Sequence, residues 1–294
     1  MAWLELSLTL RADQQERIEQ ALDDLGALSV TLLDAADHPI FEPAPGETPL
    51  WPTIALAVLF DVAIDRAGLV HALTELVPEV APDQLVFRKI EDQDWTRAWM
   101  DQFQPMQFGR RLWIYPWNIE PPAGPDDTVI VRLDPGLAFG TGTHPTTALC
   151  LRWLDGVDLA GKTVLDYGCG SGVLAIAALK LGAARVVGID IDPQALAASR
   201  DNAERNGVTN RLDLMLPGDY RPKPHAVLVA NILAAPLGEL APVFAASLAA
   251  GGAFALSGIL TGQQDELLAL YAADFTDLTV AIDGDWARID GRRR

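Results

Sequence analysis

The 294-residue sequence has little cysteine and no long apolar segment. Two cysteines, Cys150 and Cys169, cannot form a disulfide framework or a multi-cysteine metal site, so we expect a reducing compartment and no metal. No uninterrupted apolar run approaches the roughly 18 residues that span a bilayer. The opening MAWLELSLTLR has Glu5 inside its apolar stretch and no basic residue before it, which argues against a secretory signal. These absences predict a soluble, cytoplasmic protein without membrane contact.

Basic residues are also scarce, and most of the excess of acidic over basic residues lies in the first third of the chain. The chain has 22 basic and 40 acidic residues, a net charge of −18. Residues 1–95 hold 18 acidic and 5 basic residues (net −13), whereas residues 96–294 hold 22 and 17 (net −5). A negative surface repels phosphate backbones, because sequence-independent affinity for nucleic acids comes from cations. The charge therefore disfavours direct nucleic-acid binding and favours a basic protein partner.

Residues 1–90 have the pattern of a small α+β domain. Leucines at every second position from Leu4 to Leu10 predict a strand, and helical spacing follows from Asp13, the expected N-cap, to Gly26. Strands are predicted at 27–33, 54–61 and 85–90, and a second helix runs from its cap Asp65 to Leu76. The order β-α-β-β-α-β is ferredoxin-like and leaves one sheet face uncovered. We expect that face to be a docking platform for a substrate; a solvated acidic surface that only aids solubility is the alternative.

Residues 91–120 contain four of the chain's eight tryptophans. Trp95 and Trp99 are one helical turn apart, so they are suited to packing a connecting helix onto a domain. We interpret residues 91–110 as a helical linker. No basic groove accompanies these rings, which makes base stacking the weaker interpretation.

A glycine-rich loop follows a short apolar strand at residues 163–166. The loop, Gly168 to Gly172, reads G-x-G-x-G and leads into the apolar helix VLAIAALKLG. Strand, glycine loop and helix in this order predict a nucleotide-binding unit. Val173 departs from the third-glycine spacing of dinucleotide enzymes. Asp190 ends the next strand, 22 residues after Gly168, where a carboxylate can accept hydrogen bonds from both ribose hydroxyls.

Strands and helices continue to alternate after Asp190. Strands are predicted at 211–216, 226–231 and 253–258, with a helix over 235–249. Two further strands, 279–283 and 286–290, flank Gly284 and predict a hairpin that inserts an antiparallel strand. The alternation predicts an α/β fold for residues 111–294, with a seven-stranded doubly wound sheet.

The glycine loop, Asp190 and the terminal hairpin together resemble the class I S-adenosylmethionine-dependent methyltransferases. The segments LDPGLAFGTGTHPTT (133–147) and N-I-L-A (231–234) narrow the resemblance to the PrmA family, methyltransferases of the eleventh protein of the large ribosomal subunit. The resemblance implies methyl transfer from S-adenosyl-L-methionine to lysine side chains and the N-terminal amine of that basic protein. We expect the enzyme to act as a monomer.

The resemblance also implies roles for individual residues. It assigns Thr147, Gly168, Gly170, Asp190 and Asn231 to cofactor binding, and Asn231 to catalysis as the group that orients the substrate amine. The helix opened by His144-Pro145 would help Thr147 to hold the methionine carboxylate. Phe139 to Thr141 would cover the cofactor, and Asp166 would order the loop or reach the cofactor's amino group through water.

Other functions remain open from the residues alone. A small-molecule or RNA methyltransferase is one alternative, although the acidic first third argues against RNA. A regulator that binds the cofactor without turnover and a dehydrogenase are the others, and the missing third glycine weakens the latter. Asn231 as a strand-end cap and Cys169 as a packing residue are the structural interpretations of those two positions.

Overall fold

The computed structural model describes residues 2–36, 50–91, 104–133 and 144–294. The chain divides into two compact units, Met1–Trp95 and Thr96–Arg294, here called the N-terminal and C-terminal units. Trp95, Trp99 and the expected cover at Phe139 to Thr141 lie outside the described residues. No helix in the described part of the chain is long and apolar enough to cross a membrane.

The N-terminal unit has the predicted ferredoxin-like order. Its elements are β1 (Ala2–Arg11), α1 (Gln15–Asp24), β2 (Ser29–Asp34), β3 (Thr53–Asp61), α2 (Arg66–Leu76) and β4 (Val86–Glu91). The strands form one antiparallel sheet in the order β2-β3-β1-β4. Leu6, Leu8 and Leu10 of β1 are buried with residues of both helices, as their alternation predicts.

The helix ends of this unit follow the sequence signals with one exception. Asp65 caps α2 by accepting a hydrogen bond from the Ala67 amide (3.1 Å), and Gly26 has φ +89° just after α1. Asp13 does not cap α1, so that prediction is wrong. Its carboxylate accepts instead from Arg11 Nε at 2.9 Å, and a short 3₁₀ turn delays the helix to Gln15.

Both the sheet and the helices of this unit carry acidic residues. On β1, the open face carries Glu5, whose carboxylate is paired with Arg88 of β4 at 2.9 Å. By contrast, Glu16, Asp23 and Asp24 of α1 are exposed. Helix α1 therefore presents several carboxylates to solvent.

The C-terminal unit is built around a seven-stranded sheet. Its elements are β5 (Met106–Phe108), β6 (Leu112–Tyr115), β7 (Val129–Arg132), α3 (Pro145–Gly156), β8 (Thr163–Tyr167), α4 (Val173–Lys180), β9 (Arg185–Ile189), α5 (Pro193–Arg205), β10 (Leu212–Met215), β11 (His225–Asn231), α6 (Ala234–Ser247), β12 (Leu248–Leu260), α7 (Gln264–Tyr271), β13 (Phe275–Asp283) and β14 (Trp286–Arg293). The strand order is β10-β9-β8-β11-β12-β14-β13.

The strand directions confirm the doubly wound fold. Strands β8 to β12 are parallel, and β14 is antiparallel to both of its neighbours, β12 and β13. The β13–β14 turn holds Gly284 at φ +59°, a left-handed conformation that favours glycine. Every residue of α4 from Val173 to Leu179 is buried, which explains its uniformly apolar sequence.

Most of the helical linker predicted for residues 91–110 lies outside the described residues, which include only residue 91 and residues 104–110 of it. Glu91 ends β4, and residues 106–108 form β5, the edge of a small sheet with the order β5-β6-β7. The buried Asp155 of α3 accepts hydrogen bonds from the Arg110 and Arg111 amides. Because Gly109 turns at φ +73° directly against that carboxylate, the chain folds into a hairpin.

Candidate functional site

A cavity of about 510 Å³ opens where the parallel strands β8, β9 and β11 end. This is the carboxyl edge of the sheet, where doubly wound folds bind their ligands. All five residues that the sequence assigned to the site line this cavity: Thr147, Gly168, Gly170, Asp190 and Asn231. The fold therefore brings together positions that are up to 84 residues apart in the chain.

The glycine loop needs glycine for reasons internal to the protein. Gly168, Gly170 and Gly172 have φ values of +80°, +53° and +80°. A Cβ at Gly168 would also overlap Cγ2 of Ile232, which covers it from the next strand end. The amides of Gly168 and Cys169 both donate to the Ile189 carbonyl, at 2.7 and 2.9 Å. These two hydrogen bonds hold the loop at the end of β9, where its backbone lines the cavity.

Asp190 connects the loop to the start of α5. Its Oδ2 accepts from the Gly170 amide at 2.8 Å, and its Oδ1 accepts from the Asp192 amide at 3.0 Å. These two bonds fix the carboxylate plane at the cavity wall. A carboxylate has about four acceptor positions, so capacity remains for ligand hydroxyls.

Two side chains that the sequence analysis did not single out also hold the glycine loop. Ser199 Oγ donates to the Gly170 carbonyl at 2.8 Å, and Asn202 Nδ2 donates to the Ser171 carbonyl at 2.9 Å. Both residues lie on α5, one turn apart, and Ser199 is fully buried. A polar i, i+3 pair on the buried side of a helix was the signal available in the sequence.

Asp166 lies directly before the glycine loop and binds the helix that follows it. It does not line the cavity; its Oδ2 accepts from the Ala175 amide in the first turn of α4 at 2.9 Å. Complete burial raises the pKa of this carboxyl to about 7, with a further contribution from the charge of Asp190, against the lowering effect of the Ala175 amide. Asp166 therefore holds the first turn of the helix that follows the glycine loop, while its Oδ1 is buried without a hydrogen-bond partner among the described residues.

Thr147 and Asn231 contact each other at the cavity wall. His144 is the N-cap of α3 and Pro145 its first residue, as predicted, which buries Thr147 completely. Asn231 Nδ2 lies 3.2 Å from Thr147 Oγ1 and donates to it. Asn231 Oδ1 is buried and has no hydrogen-bond partner among the described residues. An acceptor of this kind is costly to bury unless a donor reaches it.

The turn after Asn231 is held by close packing. The Ile232 amide donates to the Ser257 carbonyl at 3.1 Å. Gly258, at φ +87°, lies so close to Ile232 that a Cβ there would overlap the Ile232 carbonyl oxygen. This packing fixes the backbone that directly follows Asn231.

The thiol and imidazole nearest the site lack the features of catalytic groups. Burial raises the pKa of Cys169 to about 12, so the thiol stays protonated. Partial burial lowers the pKa of His144, whose ring packs edge-on against Trp286 and whose Nδ1 contacts Thr146 Oγ1 at 2.7 Å. These contacts agree with Cys169 as a packing residue and His144 as a helix cap.

The rest of the cavity wall is largely apolar. Ile191 and Leu233 stand at its mouth with 82% and 53% of their surface exposed. Tyr167, Pro236 and Leu240 line the interior. An apolar cavity with a few convergent polar groups suits a ligand that has a flat apolar part and a polar part.

Comparisons with known proteins agree on one family. The family described as Ribosomal protein L11 methyltransferase (PrmA) matches residues 2–294. A ribosomal protein L11 methyltransferase of Stenotrophomonas maltophilia is 56% identical over 305 residues, and one of Pseudomonas aeruginosa is 55% identical over 297; both alignments cover 100% of this chain and at least 99% of the relative. The crystal structure of a ribosomal protein L11 methylase from Lactobacillus delbrueckii subsp. bulgaricus is 34% identical, with a TM-score of 0.60, and covers 65% of this chain and 100% of its own.

Proposed function

Because this chain belongs to the family of ribosomal protein L11 methyltransferases, we propose that it transfers methyl groups from S-adenosyl-L-methionine to amines of ribosomal protein L11. The acceptors in this proposal are lysine side chains and the N-terminal amine. The protein substrate is the one in the relatives' names, and lysine side chains and the N-terminal amine are the acceptors that the family resemblance implies. The chemistry of the cavity supports an amine as the acceptor group.

The cavity fits the cofactor in size and in the type of its lining groups. Its volume of about 510 Å³ lies in the range of small-molecule sites. Asp190 would hold the ribose, the backbone of Gly168 and Gly170 would lie along the cofactor, and Thr147 at the start of α3 would bind the methionine carboxylate. When bound, S-adenosyl-L-methionine supplies a methyl group activated by its sulfonium.

The unpartnered Oδ1 of Asn231 is the observation that carries the proposal for an amine acceptor. Among the described residues it is a buried hydrogen-bond acceptor at the cavity wall, held in place because Nδ2 of the same side chain donates to Thr147. An amine N–H can donate to it, which would orient the nitrogen lone pair. Positioning of this kind supplies much of the rate of a transfer between two bound groups.

The substrate amine must be neutral before it can attack. A free lysine has a pKa of about 10.4, and transfer into an apolar site favours the neutral form. Ile232 and Leu233 provide apolar walls beside Asn231. Deprotonation therefore follows from desolvation, and no strong base is required at the site.

Recognition of the protein substrate is proposed for the N-terminal unit. Residues 1–95 carry a net charge of −13, and the exposed carboxylates of α1 lie on one side of that unit. A basic ribosomal protein would be drawn to this surface, and the attraction would weaken with salt. Deleting residues 1–90 is expected to abolish protein methylation while S-adenosylmethionine binding by the remaining chain persists; loss of both would contradict this division of labour.

Asn231→Ala tests the catalytic proposal. We expect turnover on L11 to fall by at least about tenfold, because the amine loses a hydrogen bond that aligns it. The dissociation constant for S-adenosylhomocysteine, measured by calorimetry, should change less. Asn210→Ala, at an exposed asparagine, is the matched control. Unchanged turnover in Asn231→Ala would contradict the role of Asn231.

A further inference from the structure

One face of α5 carries side chains that bind the backbone of the glycine loop. Ser199 Oγ donates to the Gly170 carbonyl, and Asn202 Nδ2 donates to the Ser171 carbonyl, at 2.8 and 2.9 Å. Neither side chain lines the cavity. They bind the loop backbone without contributing to the cavity wall.

We propose that Ser199 and Asn202 are positioning residues that set cofactor affinity by holding the glycine loop in its binding conformation. The inference rests on the proposed function, since the ligand of the loop is taken to be S-adenosylmethionine. It assigns to α5 a role in binding that does not require contact with the ligand.

The loop is a segment that needs such support. Three glycines with positive φ in five residues make it conformationally free when unbound. Ligand affinity falls if this freedom must be removed on binding. Asp190 fixes the Gly170 amide and Ser199 fixes the Gly170 carbonyl, so both peptide groups of this residue are held in advance.

The packing between loop and helix is tight at Ser199. A Cβ at Gly172 would lie 2.9 Å from Ser199 Oγ and 3.1 Å from its Cβ. Ser199 is fully buried, so without its hydroxyl the Gly170 carbonyl would lose a partner that water cannot easily replace. Asn202 is half-buried and can be changed with less effect on folding.

The test uses the full-length protein and S-adenosylhomocysteine as the probe. Ser199→Ala and Asn202→Ala are each expected to weaken binding by about tenfold in calorimetry, since each removes a hydrogen bond that holds a carbonyl of the glycine loop. Asn202→Asp should weaken it at least as much, because a carboxylate faces the Ser171 carbonyl. Glu204→Ala, on the exposed side of α5, is the matched control.

A kinetic split separates positioning from general destabilisation. We expect KM for S-adenosylmethionine to rise while kcat at saturating cofactor stays within about twofold. Thermal unfolding should show a smaller ligand-induced rise in Tm for the Ser199 and Asn202 variants than for the wild type. If Ser199→Ala does not fold, the two Asn202 variants decide the matter.

Two results would overturn the inference. If the wild type binds S-adenosylhomocysteine and the Asn202 variants bind it with unchanged affinity, the positioning role is refuted while the proposed function stands. A wild-type protein that does not bind S-adenosylhomocysteine would refute the proposed function and this inference with it.

Discussion

Replacing Asp166 by asparagine is expected to remove a pH dependence from the stability of the C-terminal unit. Asp166 is fully buried, and its burial raises the pKa to about 7 from an ordinary value of 3.8. A carboxyl whose pKa is raised in the folded state binds its proton more tightly there than in the unfolded chain. This tighter proton binding contributes its full stabilisation at pH values below the unfolded pKa. That stability is lost as the pH rises through the folded pKa.

The size of the effect follows from these two pKa values. The unfolded chain has released this proton by about pH 5, whereas the folded wild type releases it only between about pH 5 and about pH 8. Over that range the unfolding free energy of the wild type therefore falls by about 2–3 kcal/mol. A side-chain amide in place of the Asp166 carboxyl can still accept from the Ala175 amide, but it does not titrate. Its NH₂ group is a buried donor, which costs about 1–3 kcal/mol at every pH.

Urea unfolding at several pH values provides the assay. The transition of the C-terminal unit is identified as the one that S-adenosylhomocysteine shifts to higher urea, and it is then measured without ligand. The unfolding free energy of Asp166→Asn should gain about 2–3 kcal/mol relative to the wild type from about pH 5 to about pH 8. Asp201→Asn, on the exposed side of α5, controls for the loss of one charge in the same unit. A constant difference between Asp166→Asn and wild type would refute the reasoning.

Further predictions concern close packing and one buried hydroxyl. Gly258→Ala should unfold more easily than Gly161→Ala by at least about 1 kcal/mol in urea, because both have positive φ but only Gly258 lies against a backbone carbonyl; equal losses would show that the contact with Ile232 is unimportant. Gly168→Ala should weaken S-adenosylhomocysteine binding by more than about tenfold in calorimetry, since the Ile232 side chain at the cavity wall must shift and a non-glycine residue is strained at positive φ; full affinity would contradict the role given to the loop. Tyr271→Phe should cost about 1–2 kcal/mol of unfolding free energy, because its buried hydroxyl donates to the Leu237 carbonyl at 2.7 Å; no loss would mean that water replaces the bond.

Sequence patterns predicted the elements whose residues repeat with a clear period or end at a specific residue. The alternating leucines of β1 and the apolar run of α4 fix their burial, and Gly284 marks the turn of the terminal hairpin. Asp190 could be singled out from the residues because it directly follows a predicted strand after the glycine loop, whereas Thr147 and Asn231 came from the family resemblance. Parallel strands place their carboxyl ends along one edge, so residues distant in sequence converge there.

Features that depend on tertiary contacts were not predictable in this way. The hairpin at Gly109 forms because the buried Asp155 carboxylate binds two of its amides, and nothing local signals that contact. Asp13 pairs with Arg11 instead of capping, a competition between two local bonds of similar strength. The bonds from Ser199 and Asn202 to the glycine loop require knowledge of how α5 packs.

Mass spectrometry of purified ribosomal protein L11 after incubation with this enzyme and isotopically labelled S-adenosylmethionine tests the proposed amine methylation most directly. With wild-type enzyme, we expect labelled methyl groups on lysine side chains or the N-terminal amine. With Asn231→Ala, we expect strongly reduced labelling although S-adenosylhomocysteine still binds. Unlabelled L11 with a wild-type enzyme that binds the cofactor product, or label on groups other than amines, would contradict the proposal.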